Sequence, residues 1–246
     1  MTRLIMNLVK IIVSILIGLF ATSCEIKIDG IDSIQGNGKI VTENRTVNEP
    51  FTKIEASRGL DIEVIQSEVL SISVEADDNL LEHIETKINN GILKISSDKN
   101  IRRSKSKKIK VTVTNLEKIS VSSAAEVEIK NTLITPSISF KSSSGGEIEA
   151  IVEAENITCN SSSGGEISLY GKALFIDVSV SSGGEINAKE LLSNQVIASA
   201  SSGGSIKIHP IISLDGRVSS GGNISYYNEP KSITKQINSG GSIRFR

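Results

Sequence analysis

The C-terminal half of the chain repeats one short pattern of apolar and small polar residues around a pair of glycines. Five copies read SSGG and the last reads NSGG, and their first glycines lie 18 to 20 residues apart: Gly145, Gly164, Gly183, Gly203, Gly221 and Gly240. A fixed period of this length is typical of a solenoid, in which each repeat buries its apolar face only against its neighbours. The pattern therefore predicts a stack of similar coils.

Apolar and polar residues alternate on both sides of each glycine pair. The third position after the first glycine is isoleucine in every copy: Ile148, Ile167, Ile186, Ile206, Ile224 and Ile243. This period of two predicts β-strands whose alternate side chains face a common interior. The glycine pair predicts a corner between two strands, because glycine reaches backbone angles that other residues resist.

Strands that turn at regular corners and stack on one another predict an all-β fold, a right-handed parallel β-helix with short coils of about 19 residues. Neighbouring coils would then lie about 4.8 Å apart, the ordinary distance between paired strands. Helical solenoids have longer repeats that are richer in helix-forming residues. The leucine and asparagine ladder of leucine-rich repeats is also missing from this pattern.

The repeat extends upstream in a weaker form. Residues 122–129 carry Ala124 and Ala125 where the glycines stand, and residues 54–62 fit the same register on Gly59. We therefore expect one β-helix domain over residues 49–246, with irregular coils and a cap at 51–120 and regular coils at 121–246. Residues 78–88 fit either a short amphipathic helix or a strand that leads into a hairpin turn at Asn90-Gly91.

The N-terminal residues have the pattern of an export signal. Arg3 and Lys10 precede an apolar run that ends in small residues before Cys24, and the run is too short for a stable membrane span. Residues 1–23 resemble a bacterial lipoprotein signal peptide, which predicts that Cys24 carries a lipid, whereas an ordinary secretory peptide is the alternative. Residues 24–48 are then a polar tether, with a first strand expected near Lys39–Thr42. The expected partner is a membrane, and the protein is expected to be an outer-membrane lipoprotein of the cell envelope, on either the surface or the periplasmic side.

Composition argues against several classes of function. The chain has 27 Lys and Arg residues against 28 Asp and Glu residues, so nucleic acid is not an expected partner. Aromatic residues make up 3% and tryptophan is absent, which leaves little surface for stacking sugars. No nucleophile or dinucleotide motif is present, so we expect no enzymatic activity and no cofactor. Cys159 falls on an inward position and is expected to be a small core residue.

A column of carboxylates is predicted one residue after the glycine pairs. Stacked coils would place these side chains about 5 Å apart on the outside. Like charges so close repel one another or attract a cation such as Ca²⁺, and a solvated acidic stripe is the simpler interpretation. The residues of this column are Glu126, Glu147, Glu166 and Glu185.

A second column is made of serines directly before the glycines. Small hydroxyl side chains suit a tight corner and can hydrogen-bond along a stack. They could also form a binding strip for a glycan or a protein. The residues of this strip are Ser144, Ser163, Ser182, Ser202, Ser220 and Ser239.

Two further expectations concern the surface. The lysines and arginines between Lys99 and Lys110 predict an exposed basic loop that could touch anionic lipid or acidic polysaccharide. The last coil, after Ser239, has no following coil to pair with. We expect it to be covered by its own terminal residues or by a second copy in a homo-oligomer.

Several segments in a fixed order resemble a known family. They are Phe51–Ile54, Val74–Leu81, Gly91–Ile95 and the SSGG coils. Together they resemble the putative auto-transporter adhesin, head GIN domain family of Bacteroidetes-type bacteria. The resemblance implies a right-handed β-helix that works in adhesion, and it brings no catalytic residue. A periplasmic structural or regulatory scaffold and a polysaccharide-acting enzyme are the alternative functions.

Overall fold

The computed structural model describes residues 32–246, and the predicted signal peptide, Cys24 and the first part of the tether lie outside the described residues. The described residues form 19 β-strands and one turn of 3-10 helix, Asp78–Leu80. The strands are β1 (Ser33–Gln35), β2 (Ile40–Arg45), β3 (Lys53–Ala56), β4 (Asp61–Gln66), β5 (Ser71–Asp77), β6 (Ile84–Asn89), β7 (Ile92–Ser97), β8 (Asn100–Arg103), β9 (Lys107–Val113), β10 (Lys118–Val121), β11 (Glu126–Ile129), β12 (Leu133–Ser143), β13 (Glu147–Ser162), β14 (Glu166–Val180), β15 (Glu185–Ala200), β16 (Ser205–Val218), β17 (Asn223–Tyr226), β18 (Ser232–Ile237) and β19 (Ser242–Phe245).

In the C-terminal half, one long bent strand makes almost a whole coil. Strands β13 to β16 each run from one serine-glycine turn to the next, and neighbouring strands pair in parallel along their length. Ile148 lies beside Ile167, for example, and Ile157 lies beside Ile176. The predicted stack of parallel coils of about 19 residues is confirmed.

The inward positions form continuous apolar columns inside the coils. The predicted isoleucine column is fully buried from Ile148 to Ile224, and Ile243 in the last coil is 7% exposed. Cys159 is also fully buried, as expected of a small core residue. Each coil therefore buries its apolar side chains against the coils on either side, as the repeat pattern predicts.

The two glycines of each corner serve different purposes. Gly164 has a φ of +72° and open space around its α-carbon, so it is needed for its backbone angle, as predicted. Gly165 has no such angle, but a β-carbon on it would lie 2.7 Å from the carbonyl carbon of Ser142 in the preceding coil. The second glycine is therefore required by close approach between coils, a reason that the sequence analysis did not give.

The order of the coils in the stack differs from their order along the chain. Strand β3 lies between β7 and β10, and β4 lies between β9 and β11. The coil formed by β3 and β4 is therefore the second in the stack, although it comes first in the sequence. After β4, residues 67–117 form the end coil and its cap on one side of this coil. The chain then continues the stack on the opposite side with β10 and β11.

The end coil is capped by antiparallel strands. Strand β6 pairs antiparallel with β7 across the turn at Asn90-Gly91, and both turn residues have positive φ. Of the two alternatives for residues 78–88, the hairpin strand is therefore correct for residues 84–88, whereas residues 78–83 form a turn of 3-10 helix and the turn that follows it. Strands β2 and β9 flank β5 in antiparallel pairing.

The domain begins earlier than predicted. Strand β1 pairs with β8 and β2 pairs with β5, and Ser33–Arg246 form one compact unit. Residues 33–48 therefore belong to the domain rather than to the predicted tether, and β2 corresponds to the first strand expected near Lys39–Thr42. The reason is that β2 satisfies the free hydrogen-bonding edge of β5, a partner about 30 residues away that the sequence pattern does not specify.

A buried carboxylate fastens this cap. Asp77 is fully buried, and its side chain accepts hydrogen bonds from the backbone N–H groups of Gly38, Lys105 (2.7 Å) and Ser106 (3.0 Å). Burial raises the pKa of Asp77, but these N–H groups lower it more, so it lies below its ordinary value of 3.8. One side chain thus joins the loop before β2 to the loop before β9.

The last coil is open to solvent in the structure. All residues of β18 are exposed, and the exposed fractions of Ile237 and Phe245 are 51% and 54%. The expected cover by the residues that follow β19 is not formed, and association with a second copy stays a prediction. No helix among the described residues is long and apolar enough to cross a membrane.

Candidate functional site

The predicted serine strip lies along the corners of the coils. In the turn 143–146, Ser144 and Gly145 have φ values of +52° and +70°, and the Gly146 N–H donates to the Ser143 carbonyl oxygen at 3.0 Å. Two central residues with positive φ are typical of the tight turns that connect strands. The six serines of the strip occupy the same place in successive turns and are all exposed. We call this row of turn tips the serine edge.

The serine edge is held by backbone hydrogen bonds. The N–H groups of Gly183, Gly203 and Gly221 donate to the carbonyl oxygens of Ser202, Ser220 and Ser239 in the next coil at 3.1–3.2 Å. Among the described residues, the hydroxyl groups of the six tip serines make no hydrogen bond to protein. The expected hydroxyl ladder is therefore not formed, and these hydroxyl groups are free to bind water or a ligand.

The predicted carboxylate column lies on the side of the coils that follows the turns. Glu126 lies beside Glu147, Glu147 beside Glu166, and Glu166 beside Glu185 on paired strands. The paired register extends this column and adds a second one next to it. We call the resulting surface the acidic face, and its carboxylates are Asp61, Glu63, Glu126, Glu128, Glu147, Glu149, Glu166 and Glu185.

Lysines neutralise the two ends of the acidic face but leave its middle unpaired. Lys108 lies 2.6 Å from Glu63, and this hydrogen bond lowers the pKa of Glu63. Lys207 lies 2.7 Å from Glu185 at the other end. In the middle, partial burial and the charges of Glu126, Glu166 and Glu149 raise the pKa of Glu147.

The acidic face does not have the form of a chelating site. Three of its coils contribute two carboxylates each and two contribute one, but no group of three or more His, Cys, Asp or Glu side chains in the described part of the chain could hold a metal ion. Calcium prefers six to eight oxygen ligands around one point. This arrangement favours the simpler of the two interpretations, a solvated acidic stripe, over a cation column.

The basic residues between Lys99 and Lys110 do not form an exposed loop. They lie largely on β8 and β9, and Lys107 and Lys110 are 3.5 Å and 3.2 Å from Asp61 and Glu75. The expectation of one free basic loop is therefore wrong for Lys107, Lys108 and Lys110, because β9 pairs with β4 and β5 and these strands present Asp61, Glu63 and Glu75 to the three lysines. Arg102, Arg103 and Lys105 are exposed. The β9 part of this segment supports the stack by ion pairing.

A basic surface does exist, on the side of the coils that precedes the turns. Lys94, Lys118 and Lys141 line a groove of about 310 Å³ together with Glu55 and several serines. The paired strands bring Lys94 beside Glu55, Glu55 beside Ser120, and Ser120 beside Lys141. We call this surface the lysine groove.

The lysine groove was not predicted from the sequence. Its residues come from four segments that lie far apart in the sequence and meet only because β3 is inserted between β7 and β10. The available signal is that Glu55, Ser120 and Lys141 lie four positions before Gly59, Ala124 and Gly145, which share one register in the repeat. That signal becomes useful only when the order of the coils is known.

The histidines and the buried cysteine do not form a catalytic group. His83 contacts Asp98 at 3.0 Å near the cap, and His209 contacts the carbonyl oxygen of Lys189 at 3.1 Å. Cys159 lies in the core, where burial raises the pKa of its thiol. These three residues are on different elements, and none has the nucleophile-and-base arrangement that covalent catalysis requires.

Comparisons with known proteins agree with this architecture. The family model described as "Putative auto-transporter adhesin, head GIN domain" matches residues 50–230. A solved structure described as a putative adhesin from Bacteroides fragilis has 27% sequence identity and a TM-score of 0.81, and the match covers 87% of this chain and all of that one. No curated protein matches the chain at the sequence level.

Two further solved structures share the fold at lower identity. One is described as a putative adhesin from Parabacteroides merdae, with 20% identity and a TM-score of 0.68. The other is described as a putative lipid binding protein from Parabacteroides distasonis, with 22% identity and a TM-score of 0.69. Each match covers 87% of this chain and 99% of the other chain.

Proposed function

The chain belongs to the family described as putative auto-transporter adhesin, head GIN domain, and from that premise we propose that it is a non-enzymatic adhesion module. It binds a glycan or a protein through a lateral face of the solenoid. The similar protein from Bacteroides fragilis, described as a putative adhesin, supports this proposal.

The observation that carries the proposal is the serine edge together with the grooves beside it. The lysine groove lies next to the N-terminal part of this edge, and a second groove, lined by residues such as Ser199, Arg217 and Gln236, lies next to its C-terminal part. Free hydroxyl and amide groups on rigid paired strands can bind a polar ligand without first being ordered. This surface is suited to binding an extended ligand.

We further propose that Cys24 carries a lipid that anchors the protein in the outer membrane. The small residues before Cys24 and the apolar run that precedes them support this proposal. The anchor would hold the solenoid at the cell envelope, where adhesion takes place.

A protease experiment on intact cells tests the location. A protease that cannot cross the outer membrane should digest the domain while a periplasmic control protein stays intact. Protection of the domain until the cells are lysed would contradict surface adhesion and favour the periplasmic scaffold. A parallel screen of the purified full-length chain against glycan and host-protein arrays tests binding, and an empty screen would contradict the proposed function.

A further inference from the structure

We propose that the lysine groove binds a linear acidic polysaccharide, whose carboxylate or sulfate groups contact Lys94, Lys118 and Lys141. This inference rests on the proposed function, because it names the ligand class and the part of the lateral surface that binds it. The serine edge alone does not favour a charged ligand over a neutral one. The lysine groove favours a negatively charged ligand.

The first reason is an excess of positive charge, because the groove has three lysines and one carboxylate, Glu55. In the part of the chain that the structure describes, no carboxylate oxygen lies within ion-pair distance of Lys94, Lys118 or Lys141. By contrast, Lys108 and Lys207 on the acidic face each have a carboxylate partner. The protein therefore neutralises the lysines of one face and leaves those of the groove available.

The second reason is that like charges are stacked without a counter-ion. Lys118 lies directly beside Lys53 on the paired strands β10 and β3. Like charges on directly paired positions of a sheet destabilise it. An anionic ligand would reduce this repulsion, so the free energy of binding would include the relief of repulsion between Lys118 and Lys53.

The third reason is an unsatisfied hydroxyl group. The side-chain oxygen of Ser120 is buried and has no hydrogen-bond partner, and Ser120 lines the groove between the levels of Glu55 and Lys141. Buried polar atoms are nearly always paired with protein or water. A water molecule or a ligand hydroxyl group in the groove would satisfy it.

The geometry favours a chain-like ligand. Lys94 and Lys141 lie three strand spacings apart, which is about 14 Å along the stack, and Lys118 lies between their levels. The groove also contains the serine side chains Ser57 and Ser143. A polysaccharide with acidic groups along its length can place charges on the lysines and hydroxyl groups on the serines at the same time.

Other polyanions fit the groove less well. A membrane surface is flat and is usually bound by convex basic segments with apolar residues beside them, whereas these lysines line a concave groove. Single-stranded nucleic acid binds on aromatic side chains, and the lining of the groove is made of Lys, Glu, Ser, Ala and Val. Both ligands remain outcomes of the test.

The test measures binding of the purified full-length chain to heparin and polygalacturonate, with neutral dextran for comparison. We expect both acidic polymers to bind, dextran not to bind, and added salt to weaken binding. The double variant Lys118→Gln/Lys141→Gln should bind about tenfold more weakly. The control Lys172→Gln removes one positive charge, from a lysine outside the groove that is paired with Glu153, and it should bind within about twofold of wild type. Lys172→Gln should melt with the wild type, and the double variant should melt with it or slightly above it, because the variant removes the repulsion between Lys118 and Lys53.

Several results would overturn this inference. One is equal loss of binding in the double variant and in Lys172→Gln, and another is tighter binding to phosphatidylglycerol vesicles or oligonucleotides than to both acidic polymers. If the arrays give only neutral glycan or protein ligands, the groove assignment fails while the proposed function stands. If neither arrays nor polymers bind, both proposals fail.

Discussion

The α-carbon of Gly165 packs against the backbone of Ser142 in the preceding coil, so closely that a β-carbon would lie 2.7 Å from the Ser142 carbonyl carbon. Strand pairing fixes both backbones, so neither can move aside without breaking the hydrogen bonds between the coils. This contact explains why every regular corner has a second glycine although only the first has a positive φ.

Alanine at the two glycines of one corner should therefore have unequal effects. We expect Gly165→Ala to lower the free energy of unfolding by about 3 kcal/mol through overpacking. Gly164→Ala has open space and should cost only about 1 kcal/mol, from its left-handed backbone. Thermal unfolding of both variants measures the difference, and equal losses would show that close approach between coils is not the reason for the second glycine.

Removing the charge of Asp77 should destabilise the cap. Asp77→Asn replaces a carboxylate oxygen by an N–H₂ group that faces backbone N–H donors, and we expect a loss of about 2–3 kcal/mol at neutral pH. The neighbouring Asp78→Asn is the control, because Asp78 makes only an exposed ion pair with Lys39 and should change stability little.

The effect of Asp77→Asn should depend on pH in a defined direction. The pKa of Asp77 is lower in the folded state than its ordinary value of 3.8, so its contribution is fully present above that value. It is lost as the pH falls through the folded-state pKa. Denaturant titrations should show the variant and the wild type converging at low pH, and a constant difference would contradict the role of the charge.

Neutralising the middle of the acidic face should stabilise the protein slightly. The pKa of Glu147 is raised above its ordinary value of 4.5 by partial burial and by neighbouring carboxylates, so the ionised group destabilises the fold as the pH rises above that value. Glu147→Gln should raise stability at neutral pH by less than about 1 kcal/mol, because solvent screens exposed charges. The gain should disappear below about pH 4 and in high salt, and a loss of stability at neutral pH would contradict it.

Calcium should leave the melting temperature unchanged within about 1 °C. A ligand raises the melting temperature only when it binds the folded state, and we expect no such binding of calcium to the acidic face. The carboxylates of the acidic face are spread along two neighbouring columns, and no chelating group is formed among the described residues. Differential scanning calorimetry with millimolar calcium or a chelator tests this. A clear rise that Glu147→Gln abolishes would establish the cation column instead.

Much of the fold could be predicted because the repeat is local. Ile148 and Ile167 have the same register relative to their glycines, and strand alternation is enough to place both inside. The same reasoning placed Glu147 beside Glu166 and aligned the tip serines, since identical positions of stacked coils coincide. The sequence could not predict that the hydroxyl groups of the tip serines lack protein partners or that the centre of the acidic face is unpaired. Hydrogen bonds and ion pairs depend on neighbours outside the repeat.

The sequence by itself determined the period, the inward columns and the corners, because these depend on residues within one coil. Only the tertiary structure decided that Ile54 lies beside Leu93 on one side and Ile119 on the other, and hence that the lysines meet in one groove. Backbone hydrogen bonds are the same for every strand, so the local pattern does not specify which distant strand becomes the partner. The partner strand is selected by side-chain packing and by closure of the connecting segment. The entropic cost of that closure rises only slowly with the length of the segment, so a distant strand can become the partner.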